Sequence, residues 1–276
     1  EPIWVEVESL DLTFKPLKLL VGKLEFGVIT INKPVIVLER KSLDDNNWNF
    51  PVFSSANAVE ETVTPDDRHN IPLIERLELK DGQFTYRDGP KQLNLKLKLD
   101  SVSGSGGEKQ EGKNRENGFT VKGDGTLQGK KFSLDASGGS LETLRDSNAD
   151  FPLRFNLVMG STKVTVNGTF KDPLKFSGAN ASLKIVGDNL ADIFYLTAIP
   201  LPPTPPYTLE GQLTKVGDVW GYQKFSGKVG GSDLSGSLSY DVGGKRGFLK
   251  ANLFSNVLNS ADLGGFIGLS PDVENA

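Results

Sequence analysis

The chain has no cysteine and a single histidine among its 276 residues. Without cysteine there is no disulfide and no thiolate metal site. His69 stands alone in a polar stretch and reads as a solvated side chain. The acidic pairs Asp44-Asp45 and Asp66-Asp67 lie in turn-rich sequence, where capping and solvation account for them better than a metal does. No Gly-x-Ser-x-Gly elbow comes with a second base, and no phosphate-cradling glycine loop leads into Lys-Ser or Lys-Thr. The acid, base and nucleophile of an active site are missing, so no catalytic residues, cofactor or metal are expected and the chain does not read as an enzyme. No apolar run reaches the roughly 18 residues of a membrane-spanning helix, and no signal peptide opens the sequence. Basic residues are not in excess either. Lys and Arg number 31 against 35 Asp and Glu, a net charge of -4, which argues against a nucleic-acid partner.

What the chain has in quantity is alternation. Leu93-Asn94-Leu95-Lys96-Leu97-Lys98-Leu99 switches strictly between apolar and polar, and the same period returns along most of the sequence. Successive side chains on a strand point to opposite faces, so each such segment has one greasy and one wet face. The expected apolar face starts with Leu77, Leu79, Phe84 and Tyr86, and passes through Leu93, Leu95 and Leu97. It takes in Phe119, Val121, Phe132 and Leu134, then Leu153, Phe155 and Leu157. Val164, Val166, Phe170, Phe176, Leu183 and Ile185 follow. Leu209, Leu213, Phe225, Val229, Leu234 and Leu238 complete the set. Lys96, Lys98, Arg154, Asn167 and Lys184 fall on the wet side. A sheet with one apolar face must bury that face against something, and little amphipathic helix is present to cover it.

Glycine is abundant: 31 of 276 residues, against an average of roughly 7%. Many glycines recur as apolar-x-Gly-x-apolar, with Gly168, Gly211, Gly227 and Gly236 on the apolar side. Strand glycines mark bends, bulges or close approach, so these are read as local curvature and, compatibly with it, as a furrow for acyl chains. Strands are expected over 3–40, with breaks at Lys15-Pro16 and Asn32-Lys33-Pro34, and again from Leu73 to Ile185. Loops are expected near 41–70 and across the polar insert 104–117, which reads as mobile. A short helix is expected from Asp188, with Leu190, Ile193, Phe194 and Thr197 on one side, followed by a Pro-rich strap to 206. Strands return over Tyr207–Phe254, with a last short helix across Ser260–Ile267. Short turns such as Lys80-Asp81-Gly82-Gln83 and 241–245 predict mainly antiparallel neighbours.

Pro16-Leu17-Lys18-Leu19-Leu20, then Leu24 to Arg40 with Lys33-Pro34 inside it, then Asn46-Asn47-Trp48-Asn49-Phe50, resemble the opening of AsmA-family proteins. Asp192-Ile193-Phe194 with the strap Pro200–Tyr207, and Leu209-Glu210-Gly211, are similar to that family as well. So are Phe225–Gly230 with Asp233-Leu234-Ser235-Gly236, and Ala261–Gly268. One departure is Leu43-Asp44-Asp45, where the family often has Asp-Gly before the Asn-Trp element.

The resemblance implies a Gram-negative envelope protein in the periplasm, anchored to the inner membrane by an upstream helix absent from this chain. It also implies kinship with chorein-type bridge proteins, whose long curled sheet carries lipid tails on a concave apolar face. The fold expected is therefore mostly β: a long, curled, twisted, mainly antiparallel sheet forming an open half-pipe groove with one or two short helices. Residues 1–276 would be a fragment of one elongated groove region. The function expected is a lipid-binding groove that helps move phospholipid between inner and outer membranes and supports outer-membrane assembly and integrity. Its partners are phospholipid acyl chains, the inner membrane and outer-membrane or envelope proteins. The alternative is a closed, non-catalytic β scaffold or binding module for envelope proteins.

Overall fold

The computed structural model describes residues 4–19, 25–42, 45–47, 73–102, 118–140, 143, 146, 149–173 and 177–263. The chain divides into two compact units, Glu1–Phe151 and Pro152–Ala276. Its strands follow a linear order: β1-β4-β6-β7-β8-β9 in the first unit and β10 through β16 in the second, thirteen in all. A three-stranded set, β2-β3-β5, stands beside them. The fold is mostly β, and among the described residues the strand order does not close on itself.

The first unit begins with β1 (Val5–Glu6), β2 (Ser9–Phe14) and a single helical turn, α1 (Pro16–Leu19). Pro16 takes the first helical position, where its missing N–H leaves no bond unmade. There follow β3 (Glu25–Asn32), β4 (Val35–Arg40), β5 (Leu73–Lys80), β6 (Gly82–Asp88), β7 (Leu93–Val102), β8 (Gly118–Leu127) and β9 (Lys130–Gly138). Three strands run through a common crease. β1 leads into β2, β3 into β4 and β5 into β6, so the three-stranded set is the folded-over flank of the longer order. Lys33 and Asp81 sit at the crease with φ of 45° and 53°, values that re-aim a strand sharply. Asp81 is thus a corner and not the hairpin turn expected of Lys80-Asp81-Gly82-Gln83, because β5 and β6 run on in sequence and never pair with each other.

Backbone bonding stays complete through the bend. Lys33 N donates to Lys80 O at 2.8 Å and Gln83 N to Pro34 O at 2.7 Å. Where β7 can no longer follow, its side chains substitute: Asp100 Oδ1 accepts from Asp81 N at 2.7 Å and Ser101 Oγ from Leu79 N at 2.9 Å. These bonds pair two backbone N–H groups that the ladder leaves without a strand partner, a role for the two polar residues at this end of an otherwise alternating strand. The pairs β3/β5 and β4/β6 are parallel. Parallel neighbours need a long crossover, and residues 41–72 supply it. The remaining ladders of this unit are antiparallel; β8 and β9 turn over Gln128 and Gly129, both at positive φ as a two-residue primed turn requires.

The second unit holds β10 (Phe151–Met159, starting at the boundary), β11 (Thr162–Phe170), β12 (Asn180–Gly187), β13 (Tyr207–Val216), β14 (Val219–Val229), β15 (Ser232–Asp241) and β16 (Phe248–Phe254). β11 through β16 pair antiparallel in sequence order. Between β12 and β13 lie a 3-10 turn (Leu190–Ile193), α2 (Phe194–Thr197) and the Pro-rich strap. Asn189 caps the turn, its Oδ1 accepting from Ala191 N and from Thr204 N of the strap. α3 (Ser260–Leu263) closes the described chain, and the expected extension to Ile267 lies outside the described residues, as do the inserts 51–70 and 104–117. Helix among the described residues is confined to short single turns, in keeping with the mostly β fold expected.

Candidate functional site

In the first unit the ladders bring expected apolar residues into rows, together with Ile36 and Leu38, which the sequence reading did not name. Ile36, Phe84, Leu97, Gly123 and Leu134 are successive partners, and Leu38, Tyr86, Leu95, Gly125 and Phe132 form the next row. Leu99 and Val121 pair below them. The burial of β7 alternates along its whole length, with Leu93, Leu95 and Leu97 partly exposed and Lys96 and Lys98 exposed. The creased flank presents a second apolar row to the same side. Ile29 and Ile31 pair with Leu77 and Leu79, and the Leu79 side chain lies over Gly82 next to Leu99. Ring stacking joins Phe119 to Phe151, centroids 5.9 Å apart. The result is an apolar surface in which Ile29, Val121 and Phe132 are buried and Ile36, Leu38, Phe84, Tyr86, Leu95 and Leu97 are partly exposed.

Gly125 lies within this surface without opening a gap. A Cβ there would strike the Asn94 carbonyl and come within 2.8 Å of the Phe132 ring, so the ring occupies the space above it. In the second unit Gly211 lets backbones approach: a Cβ would stand 2.6 Å from the Phe225 Cα. The ladder shifts register beside it, between Glu210 and Gln212, and again between Tyr222 and Phe225. Bulges of this kind bend a strand and increase its twist. At Gly211 the glycine thus serves close approach and curvature.

The apolar face of the second unit is covered. Val166 pairs with Leu183, and both are buried with Phe170, Leu209, Phe225, Val229 and Leu234 in one cluster. Leu153, Phe155, Val164, Ile185, Leu213 and Leu238 pack against it. Leu157 keeps the parity of Leu153 and is partly buried; Phe176 lies outside the described residues. Leu190 and Ile193 enter the cluster from the 3-10 turn and Leu201 from the strap. Phe194 and Thr197, expected on the same side, are exposed, because the chain tightens to a 3-10 turn before α2 and rotates them outward. Tyr222 stacks on Phe225 at 4.9 Å and donates to the Leu183 carbonyl at 3.3 Å; burial pushes its hydroxyl pKa up. Arg154, Asn167 and Lys184 face solvent as expected.

Two polar features escaped the sequence reading. Arg40 and Asp88 are register partners on the apolar side of β4 and β6, and they form an ion pair. Burial pushes the Asp88 carboxyl up, but the Arg40 guanidinium, the Lys91 N–H and the Tyr86 hydroxyl outweigh it and hold the carboxyl below its usual range. The signal was present: Ile36-x-Leu38-x-Arg40 and Phe84-x-Tyr86-x-Asp88 put opposite charges at inward parity. The other feature is a latch. Asp262 accepts from Gly231 N, Ser232 N and Ser232 Oγ at 2.8 to 3.0 Å, pinning α3 to the β14–β15 turn. Asp233 accepts from Val257 N at 2.6 Å and from Asn256 and Ser255, and these bonds, led by Val257, hold its carboxyl below the usual range.

The model of the AsmA family matches residues 1–276. The chain belongs to the AsmA family. The AsmA family protein YhjG of Escherichia coli (strain K12) is 29% identical over 283 residues, which cover 98% of this chain and 41% of that protein. The chain therefore spans about two fifths of the length of the curated relative it matches. No solved structure matches it. Among the described residues of this AsmA-family chain, no helix is long and apolar enough to cross a membrane, and no acidic or histidine cluster is set to hold a metal.

Proposed function

We propose that this AsmA-family chain binds phospholipid acyl chains on the inner apolar surface of its first unit, as part of a periplasmic route between inner and outer membranes. The observation that carries the reading is the partly exposed double row of Ile36, Phe84 and Leu97 with Leu38, Tyr86 and Leu95. Apolar side chains in water lose roughly 25 cal/mol for each Å² left uncovered, and an acyl chain along the rows recovers it. Family membership supports an envelope role in lipid transport or assembly. Exposed Lys96 and Lys98 on the opposite face keep the wet side in water.

In the second unit the same kind of face is closed by Leu190, Ile193 and Leu201, which favours a scaffold role there. The test is lipid analysis of the purified chain beside Leu97→Asp. A carboxylate among acyl chains is costly to bury, so co-purified phospholipid should fall about tenfold while circular dichroism stays unchanged. A wild-type chain free of lipid, or a Leu97→Asp chain with full occupancy, overturns the reading.

A further inference from the structure

β12 and β13 are antiparallel neighbours whose near ends, Gly187 and Tyr207, stand opposite each other. Two residues suffice to join such a pair, and two join Met159 to Thr162, Val216 to Val219 and Val229 to Ser232. β12 and β13 are joined instead by residues 188–206. Neighbouring turns hold both ends of this segment: Asp188 N donates to Ser161 Oγ at 3.3 Å, and Gly230 N to Pro206 O at 2.9 Å. Between those ends its bonds close it on itself. Asn189 Oδ1 accepts from Ala191 N and Thr204 N, Leu190 N donates to Thr204 Oγ1, and Ala198 N donates to Phe194 O. Ala198 has a φ of 56°, a left-handed conformation that is costly for a residue with a Cβ. What the segment lays on the buried cluster is hydrocarbon: Leu190 and Ile193, both buried, and the partly buried Leu201.

We propose that residues 188–206 form a displaceable plug, and that the clustered face it covers, with Leu183, Leu209 and Phe225, is a second site for acyl chains. The closure that makes the second unit a scaffold at rest is then reversible. The ligand class rests on the reading given above for the first unit, and the plug itself agrees with it. Leu190, Ile193 and Leu201 place alkyl groups where an alkyl chain would lie. Apolar contacts are non-directional and scale with the area covered, so an acyl chain over the same side chains replaces what the plug gives up. The β12–β13 ladder stays whole as the plug lifts, because its pairs run from Gly187 and Tyr207 away from the segment. Lipid that reaches the face only in the lifted form draws the equilibrium toward that form.

The chain has no cysteine, so an introduced thiol reports one position alone. Ile193→Cys marks the plug, and Val229→Cys marks the sheet side of the same cluster. With a water-soluble thiol reagent both should react slowly at rest. Dihexanoyl phosphatidylcholine, added below its micellar concentration, should quicken Ile193→Cys about tenfold. Val229→Cys should stay slow, because the acyl chain covers what the plug leaves. An unchanged rate at Ile193→Cys overturns the plug, and so does an equal rise at both positions, which is unfolding. The unmodified chain gives a second measurement, with a phosphatidylcholine carrying a diazirine at its acyl end. Its adducts should include residues of β12, β13 or β14, and should persist there in the Leu97→Asp chain. Adducts confined to the first unit overturn the second site and leave the first standing. Adducts confined to the second unit uphold the plug and count against the first surface.

Discussion

The two units are built from strands of the same alternating kind, and they differ in what lies over the apolar face. In the second, Val166, Leu183 and Leu209 are buried beneath a 3-10 turn and a Pro-rich strap. In the first, Leu95 and Leu97 remain partly exposed along an equally regular ladder. Alternation therefore fixes which side chains share a face. Whether that face becomes a core or a surface depends on a short non-strand segment, here Leu190, Ile193 and Leu201.

The largest expected effect sets one unit directly against the other. Val166→Arg puts a charge into a dry cluster that cannot hydrate it, and should cost more than about 4 kcal/mol and unfold the second unit. Leu97→Asp has solvent within reach and should cost under about 1.5 kcal/mol. Urea denaturation followed by Trp220 emission and far-ultraviolet circular dichroism measures both. Equal losses would mean that the first face is as dry as the second.

Next in size is truncation of an aromatic on each face. Phe225 is 1% exposed and stacked on Tyr222, so Phe225→Ala should cost about 3 to 5 kcal/mol. Phe84 is only partly buried, and Phe84→Ala should cost about half as much. A Phe84→Ala loss matching that of Phe225→Ala would contradict an uncovered surface.

The strands, the inward parity of Leu93 to Leu97 and of Val166 with Leu183, and a short helical segment following Asp188 were all legible in the sequence. They rest on local period and local capping, which a single chain displays. The crease was not. Lys33-Pro34 read as a break and Asp81 as a turn, because a positive φ and a parallel crossover between Arg40 and Leu73 are set by distant partners. The covering of one face and not the other was equally hidden, since it depends on where Leu190 and Ile193 come to rest. The latch at Asp262 joins residues thirty positions apart in sequence, and nothing local announces it.

A smaller effect concerns the ion pair that edges the first surface. Asp88 has its folded pKa lowered, so its stabilisation is present in full above the ordinary carboxylate value of 3.8 and is lost as pH falls through the depressed one. Asp88→Asn should cost about 1 to 3 kcal/mol at neutral pH, because it leaves Arg40 without its carboxylate. The difference from wild type should shrink in acid. Thermal melts from pH 7 down to pH 3 test the sign, and a gap that widens in acid would refute it.

The smallest effect tests the wet side of the same strand. Lys98 pairs across the β7–β8 ladder with Lys122, two like charges on the exposed face. Like charges directly opposite destabilise a sheet by roughly 0.2 to 1 kcal/mol, and opposite charges stabilise it by a similar amount. Lys98→Asp should therefore raise stability by several tenths of a kcal/mol, where the same aspartate one residue away at Leu97 lowers it. The gain should fade in molar salt, since exposed pairs are screened over a few ångströms there. Phospholipid recovered with the Lys98→Asp chain should equal that of wild type, because the side chain never reaches the apolar rows. If Lys98→Asp instead strips lipid as Leu97→Asp does, the loss follows charge alone, and the two faces of β7 are not distinct surfaces.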